Sequence, residues 1–373
     1  PEELSNDICS LKEGAPRNCF SVIFKFDNDL KIVSFNITKT KIISNKRFTY
    51  CEAQSILDKK EGALFNELSI IKKLAQKLRR KRKSSGAIMF NKKEMGFRLN
   101  DQKSPIDIFV KESYFTQKII EELMLLTNIT VANFLKSKNK SNAVFRVHDI
   151  PDKDKLLSLK NLAFEFNYNI DISNKIAVRK SLNKLLEKVE GTTEQGLFEP
   201  LVIRSMAKAE YSSKNIGHYG LSLNDYVHFT SPIRRYADLI IHRIIDSILN
   251  NKPFSKSFEA ICKHISKKER EAAMAERESI KLMQIKYMEK HIGDTFNGVI
   301  SGVIDHGFFV ELIKNGCEGF VRASSLKGFY QLDNKRIALV NNENIFRLGQ
   351  FVDVKVIKSD SNKRLLDLKL ISF

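Results

Sequence analysis

The stretch "HFTSPIRRYADLIIHR", His228 to Arg243, decides how the chain is read. Ser231 followed by Pro232 has the pattern of a helix N-cap with proline at the first helical position. Leu239, Ile240, Ile241, Ile244, Ile245, Ile248 and Leu249 then recur at helical spacing and predict one broad buried face. On this reading Arg234 and Arg235 stand in the opening turn. The helix macrodipole disfavours cations there, by about 0.3–1 kcal/mol each. Free backbone N–H groups at a helix start attract anions. A guanidinium fork beside them makes a site for a phosphate or a carboxylate. One arginine is expected to pair with a local carboxylate such as Asp238, and the other to face the anion.

Upstream, residues 20–50 alternate as strands do, and "DND" at Asp27 to Asp29 reads as a hairpin turn. Asp27 and Asp29 can pose as a metal pair, but turn chemistry explains them more simply. A helical pattern runs from Cys51 to Arg82 and ends in "KKLAQKLRRKRK", Lys72 to Lys83. That run is either a solvated helix face or a strip that tracks phosphates. "FNKKEMGFRLN" from Phe90 reads as a further hairpin, and Thr116 to Asn139 as a helix that contains the pair Glu121–Glu122. "FRVHDIPDKDKLLSL" is a short strand entering a capped helix, residues 153–215 are mainly helical, and Gly217 to Thr230 is a loop. A long charged helix follows from about Phe258 to His291.

The texture changes after Ile292. Short strands with glycine turns fill the remaining residues, which suits a five-stranded barrel of the OB kind. The fold class is therefore α+β, a mixed region over residues 1–290 followed by an OB-fold β-barrel over 291–373.

Composition narrows the partners. The 373 residues carry a formal charge of +19 and a pI near 9.5, which favours nucleic acid or an anionic membrane surface. A Lys-, Ile- and Asn-rich composition is also common in AT-rich genomes, so charge alone only shifts the odds. No apolar run is long enough to span a bilayer, and no signal peptide is visible. Cys9, Cys19, Cys51, Cys262 and Cys317 form no CxxC pair, and no HxxxH pair occurs. Free thiols in a reducing, cytoplasmic setting are expected, without a zinc site. The chain opens on Pro1, not Met, as expected of a fragment or processed product.

Two groups of motifs resemble known families. "IGDTFNGVI", "GFFVELI" and "EGFVRASSL", within Gly293 to Phe373, resemble the S1-type RNA-binding domain. Such barrels stack bases on aromatic platforms in a basic groove. The resemblance puts His306, Phe309, Arg322, Asp360 and Arg364 on the RNA face. His306 stands where many members have Phe, and Arg322 where many have His. Strand alternation requires that one of Phe308 and Phe309 be buried and the other exposed.

"HYGLSLNDYVHFTSPIRRYADLIIHR" closely resembles the signature of the ribonuclease II/ribonuclease R (RNB) exoribonucleases. "LSNDICSL", "KRFTY", "SGAIMF", "IIEELMLLTNITVA", "FRVHD" and "LVIRSMAKAEYS" match further along. The insertion "FYQLDNKRIALVNNENIFRLGQ" is most similar to the ribonuclease R branch. The family implies processive 3′→5′ hydrolysis of single-stranded RNA to nucleoside 5′-monophosphates, with Mg²⁺ activating water and steadying the leaving oxygen. By resemblance Arg234 holds the scissile phosphate, Phe90 clamps the terminal bases and Glu121 contacts a ribose near the 3′ end. Glu276 modulates activity. Arg235 is kept as a substrate contact, although with Tyr236, Asp238, His242 and Arg243 it reads chiefly as support.

The family's metal carboxylates lie in an Asp-rich motif upstream of the position where this chain begins with "PEELSN", and no DxDD-type cluster replaces them. No metal ligands are therefore expected in this chain. The expected partners are single-stranded RNA and a missing N-terminal half of the same protein, with no membrane, in a monomer. The chain alone is expected to bind RNA without cleaving it. The alternative is a non-catalytic RNA-binding protein from a split or degenerate ribonuclease gene. A DNA- or membrane-binding protein rests on charge alone.

Overall fold

The computed structural model describes residues 1–89, 94–138, 143–192, 194–253, 257–333 and 337–373. In chain order the elements are β1 (Pro16–Phe26), β2 (Ile32–Ile43), α1 (Tyr50–Lys59), α2 (Phe65–Ser84), β3 (Met95–Leu99), β4 (Pro105–Val110), α3 (Phe115–Ser137) and β5 (Phe145–Val147). Then come α4 (Lys153–Glu165), α5 (Lys175–Val189), α6 (Gln195–Ser205), β6 (Glu210–Ser212), α7 (Tyr236–Leu249) and α8 (Glu259–Met288). The last part holds β7 (Thr295–Ile304), β8 (Gly307–Leu312), β9 (Glu318–Arg322), β10 (Gln331–Leu332), β11 (Ala338–Val340), β12 (Ile345–Arg347), β13 (Phe351–Asp360) and β14 (Leu365–Ser372). Among the described residues no helix is long and apolar enough to cross a membrane.

Two compact units interleave along the chain. The first takes Pro1–Ala87, Ser113–Asp149 and Lys208–Lys268, and the second takes Ile88–Glu112, Ile150–Ala207 and Glu269–Phe373.

In the first unit, the β1–β2 hairpin forms as expected, with Asp27 in its turn accepting the Lys31 N–H at 2.8 Å. The helical pattern over Cys51 to Arg82 is divided between two helices. Thr49 and Glu52 form a reciprocal capping box that starts α1. Lys60 (φ 60°), Gly62 (φ 119°) and Leu64 (φ 57°) then turn the chain through left-handed backbone, which ends α1 and starts α2. The core packs Val131, Ala132 and Leu135 of α3 against Ile240, Ile241, Ile244 and Ile245 of α7, with Val227, Phe229, Phe258 and Cys262. Each buried isoleucine contributes about 1.5–3 kcal/mol, which outweighs any local preference at the helix start. The buried face is narrower than expected, since Leu249 is 41% exposed.

One polar residue sits inside this core. Asn128 of α3 is buried; its amide donates to the Tyr226 hydroxyl at 3.2 Å, and its Oδ1 accepts the Phe229 N–H at 2.9 Å. It thereby fixes the loop that leads into the segment quoted at the outset.

In the second unit, the expected hairpin within "FNKKEMGFRLN" falls partly outside the described residues. Phe90 to Lys93 lie outside the described residues, and β3 pairs with β4 across a turn in which Asn100 Oδ1 accepts the Ser104 N–H. Asp152 caps α4 by accepting from the N–H groups of Asp154 and Lys155. The barrel closes in the order β13-β14-β9-β8-β7, with β14 and β9 parallel. The insertion forms a separate three-stranded sheet, β10-β11-β12. Phe308, Val310, Leu312, Val321, Val354 and Leu368 fill the barrel core, joined by Met288 of α8 and Ile108 of β4. Gly349 (φ 84°) lies so near α6 that a side chain there would meet the Leu197 nitrogen at 2.7 Å.

Asn128→Ala should leave the Phe229 N–H and the Tyr226 hydroxyl unpaired in the core. Each such loss costs about 1–3 kcal/mol, so urea unfolding should show a destabilisation of about 2–5 kcal/mol. A change below about 1 kcal/mol would mean the loop is held by other contacts.

Candidate nucleic-acid interface

The quoted segment departs from its sequence reading at one point. Ser231 to Arg235 form a separate tight turn, and α7 begins only at Tyr236. Proline suits the second position of such a turn as well as it suits a first helical turn, so Pro232 misleads. Arg235 has extended backbone (φ −125°, ψ 116°) and occupies the N-cap position. The expected joint grip of an anion by the helix start and the guanidinium is therefore corrected: Asp238, an anion of the chain itself, occupies the first turn of α7.

Asp238 is fully buried. Its Oδ1 accepts the Ser231 N–H at 2.8 Å and the Arg235 Nη2 at 2.7 Å, so one carboxylate clamps both ends of the turn. Arg235 is taken up by this pair. Thr230 Oγ1, Arg235 Nε and Asp238 Oδ2 are buried beside it and have no hydrogen-bond partner among the described residues. His242, one turn further along α7, bonds the Phe229 carbonyl at 2.8 Å through Nε2 and stacks on the Phe229 ring at 4.3 Å. Arg234 projects from the clamped turn, exposed, with no carboxylate partner among the described residues. It lines an open groove of about 1620 Å³ with Thr230, Ser231 and His242, and with Arg17, Lys39 and Lys41 of the hairpin. Arg17 is paired with Asp7 and Lys39 with Asp246, which leaves Arg234 and Lys41 as the groove's unneutralised cations among the described residues.

Glu121 is half exposed on α3 and bound by Arg82 at 2.9 Å, while the adjacent Glu122 is buried and holds Arg82 and Arg79. Glu276 is exposed on α8. On the barrel, Phe308 points into the core and Phe309 outward, where it stacks on Phe320 at 4.9 Å. His306 and Arg322 lie at the same end of the β8–β9 pair, where the Ala323 N–H donates to the His306 carbonyl, and Arg322 reaches Asp367 at 3.3 Å. Arg364 is ion-paired with Glu278 of α8, and Asp360 accepts the Lys363 N–H at 3.0 Å. Sequence reading missed Phe320. Its signal is the alternation Glu318, Phe320, Arg322, which puts it on the face of Arg322.

Mg²⁺ needs convergent oxygen ligands. Among the described residues no three His, Cys, Asp or Glu side chains come together to hold a metal ion. Asp27 is a turn acceptor, Asp152 a helix cap and Asp238 half of an ion pair. The described residues therefore do not fit the ion.

Beside the turn lies a buried cluster of histidines and tyrosines. His148 Nδ1 accepts the Gly220 N–H at 2.8 Å, His218 Nδ1 accepts that of Leu221 at 3.2 Å, and His228 Nδ1 pairs with the Tyr211 hydroxyl at 2.9 Å. Burial, reinforced by His148 and Arg146, pushes His218 down to about 3; burial, reinforced by Arg235 and Arg146, pushes His228 down to about 2. The unfolded chain takes up these protons near pH 6.5 while the folded chain refuses them. Stability should then fall as pH drops below about 6.5 and keep falling toward pH 3, by up to about 2.7 kcal/mol per pH unit for the two rings together. Urea midpoints measured at about pH 7.5 and 5 should show the loss. The imidazole NMR signals of both residues should not titrate in that range, and an inflection near pH 6.5 for either would overturn the assignment.

Residues 1–251 match the RNB domain family, and residues 289–370 match the S1 RNA binding domain family. The sequence is 34% identical over 388 residues to Ribonuclease R of Thermotoga maritima, covering 100% of this chain and 54% of that protein. It is 35% identical over 385 residues to Ribonuclease R of Aquifex aeolicus, again covering 100% and 54%. The chain thus spans about half the length of these curated relatives. The structure of Mycoplasma genitalium RNase R in complex with ribose methylated single-stranded RNA superposes with a TM-score of 0.91 at 27% identity, covering 100% of this chain and 60% of that one. The fold, the signature turn and these matches together mean that the chain belongs to the RNB exoribonuclease family and carries an S1-type RNA-binding barrel after its RNB region.

Proposed function

We propose that this chain is the substrate-gripping part of a 3′→5′ exoribonuclease that degrades single-stranded RNA processively to nucleoside 5′-monophosphates in the cytoplasm. The observation that carries the reading is Arg234. Its turn is clamped on a buried carboxylate, and its guanidinium is left without a carboxylate partner among the described residues, at the edge of a groove. A preorganised cation of this kind stabilises charge that develops on a phosphate under attack. Arg235 has the supporting role, since Asp238 occupies it. Glu121, held by Arg82, is oriented to accept a hydrogen bond from a ribose hydroxyl, the group that separates RNA from DNA. Phe309 and Phe320 offer a stacking platform, with His306 and Arg322 beside them. Asp360 and Arg364, at the β13–β14 turn, are assigned to the RNA face by the family resemblance, and Glu276 on α8 is assigned a modulating role in the same way. The clamp on terminal bases falls to Phe90, which lies outside the described residues. Support comes also from the Mycoplasma genitalium relative, a structure bound to single-stranded RNA.

Mg²⁺ would supply the hydrolytic chemistry of the family, and the described residues hold no group of three carboxylates, histidines or cysteines that could bind it. The lack of a metal-holding cluster among the described residues favours a second reading, RNA binding without hydrolysis.

End-labelled single-stranded RNA run on a gel with the chain, with and without Mg²⁺, separates these readings from their rivals. The expected result is retention without shortening in both lanes. A Mg²⁺-dependent ladder from the 3′ end would place the metal ligands within the chain. No retention would overturn the RNA reading as a whole. When the chain is joined to a segment that bears the metal carboxylates, Arg234→Ala should reduce turnover on the order of 100-fold with affinity nearly intact. A large affinity loss with normal turnover would remove Arg234 from the reaction.

A further inference from the structure

Helix α2 carries eight cations between Lys72 and Lys83 and no acid in that stretch. Other charged surface helices of the chain mix their signs. Glu187 lies among the lysines of α5, and Glu269, Glu271, Glu276 and Glu278 among the cations of α8. Mixed signs are the ordinary arrangement of a solvated face, because like charges one turn apart cost about 0.2–0.5 kcal/mol per pair. Lys73–Lys77 and Lys77–Lys81 are such pairs.

Local structure accounts for part of the run. The macrodipole favours cations in the last turn, which covers Lys81, Arg82 and Lys83. Arg79 and Arg82 face α3, where the buried Glu122 binds both. Lys72, Lys73, Lys77 and Arg80 are left over. None has a carboxylate partner among the described residues. Lys77 donates to the Asp29 carbonyl of the hairpin turn, and Arg80 to the Gln76 carbonyl of its own helix.

We infer that this outer face of α2 is a second RNA-binding surface, one that holds the phosphodiester backbone of the strand outside the Arg234 groove. The inference rests on the RNA reading proposed above. Lys73, Lys77 and Arg80 recur at helical spacing along one face, with neighbours about 5–6 Å apart, a repeat that suits successive phosphates. The strip runs about 16 Å from Lys72 to Lys83. Just beyond it, the Ser85 carbonyl accepts the Ser222 hydroxyl of the loop that leads to the signature turn. A membrane surface fits less well. Helices that lie on membranes insert an apolar face. The apolar face of α2 is already packed, with Leu68, Ile71 and Ala75 against Leu57, Ile119 and Leu123 of α1 and α3. The exposed side chains along the strip are Lys73, Gln76, Arg80, Lys81 and Lys83, and a single exposed isoleucine, Ile70, precedes it by one turn, too little apolar surface to insert.

The test is the triple substitution Lys73→Gln, Lys77→Gln and Arg80→Gln in the full chain, none of which lines the Arg234 groove. Fluorescence anisotropy would follow binding of single-stranded RNAs of about 20 and about 5 nucleotides across a salt series. The expected result is a slope of log K against log salt reduced by about 2 for the long strand and unchanged for the short one. A charge-preserving variant, Lys73→Arg, Lys77→Arg and Arg80→Lys, should retain the parent slope, and equal thermal melts of the variants would exclude misfolding. Unchanged binding of the long strand would overturn the strip and leave the Arg234 reading intact. A parent chain that binds no RNA at all would overturn both. Loss of binding to phosphatidylserine vesicles, with RNA binding unchanged, would assign the strip to a membrane and overturn the inference.

Discussion

The signature region depends on the burial of one carboxylate. An isolated ionised side chain in a protein interior costs several kcal/mol, so Asp238 is tolerated only with partners in place. It has two, the Arg235 guanidinium and the Ser231 N–H, at opposite ends of a five-residue turn. That requirement shapes the turn. It draws Ser231 back onto the helix, holds Arg235 in extended backbone and leaves Arg234 as the arginine that points away. The apolar face of α7 anchors the whole device in the core. Two further ties fix the approach to it, from Asn128 and from His242, both to the backbone of Phe229. On the proposed reading Arg234 meets a reacting phosphate, and a contact of that precision needs this kind of support from rigid elements.

The same sorting of charge recurs where α2 meets α3. Glu122 is buried and paired in the way Asp238 is, and it takes the two arginines of α2 that face inward. Arg82 extends the network to Glu121, so a half-exposed carboxylate is held in one orientation by a largely buried cation. In both places a buried acid selects which arginine is structural. The net charge of +19 is therefore not spread evenly over roles. In these two places the cations that face the interior are paired with buried acids, and those that face outward carry the excess that a polyanion can use.

Much of this is legible in the sequence, for identifiable reasons. The β1–β2 hairpin, α3, α7, α8 and the barrel strands announce themselves through period and turn chemistry. The pairing of one arginine with Asp238 follows from their three-residue separation. The start of α7 is not legible, because Ser-Pro is equally at home in a cap and in a tight turn; the difference is made by Asp238, whose reach back to Ser231 is a tertiary decision. The break between α1 and α2 has a visible cue in Gly62, but Lys60 and Leu64 in left-handed backbone do not declare themselves. Asn128 looks like an ordinary polar residue in an apolar helix, and only the fold shows that two loop groups need it. Phe320 is within reach, since strand alternation from Arg322 identifies it.

On the proposed reading, the arrangement separates affinity from turnover. The aromatic pair on the barrel and the outer face of α2 contact parts of RNA that do not change during the reaction. Such contacts bind ground state and transition state alike and raise occupancy without lowering the barrier. Arg234 differs in kind. It is a single cation with no carboxylate partner among the described residues, on a turn whose geometry is set before any ligand arrives. Rigidity there stabilises charge only where charge develops, so its value is expressed in rate. An enzyme that must hold a strand and still advance along it gains from this division: many weak, salt-sensitive contacts release one nucleotide's worth at a time, while the contact that matters to chemistry stays fixed in the protein.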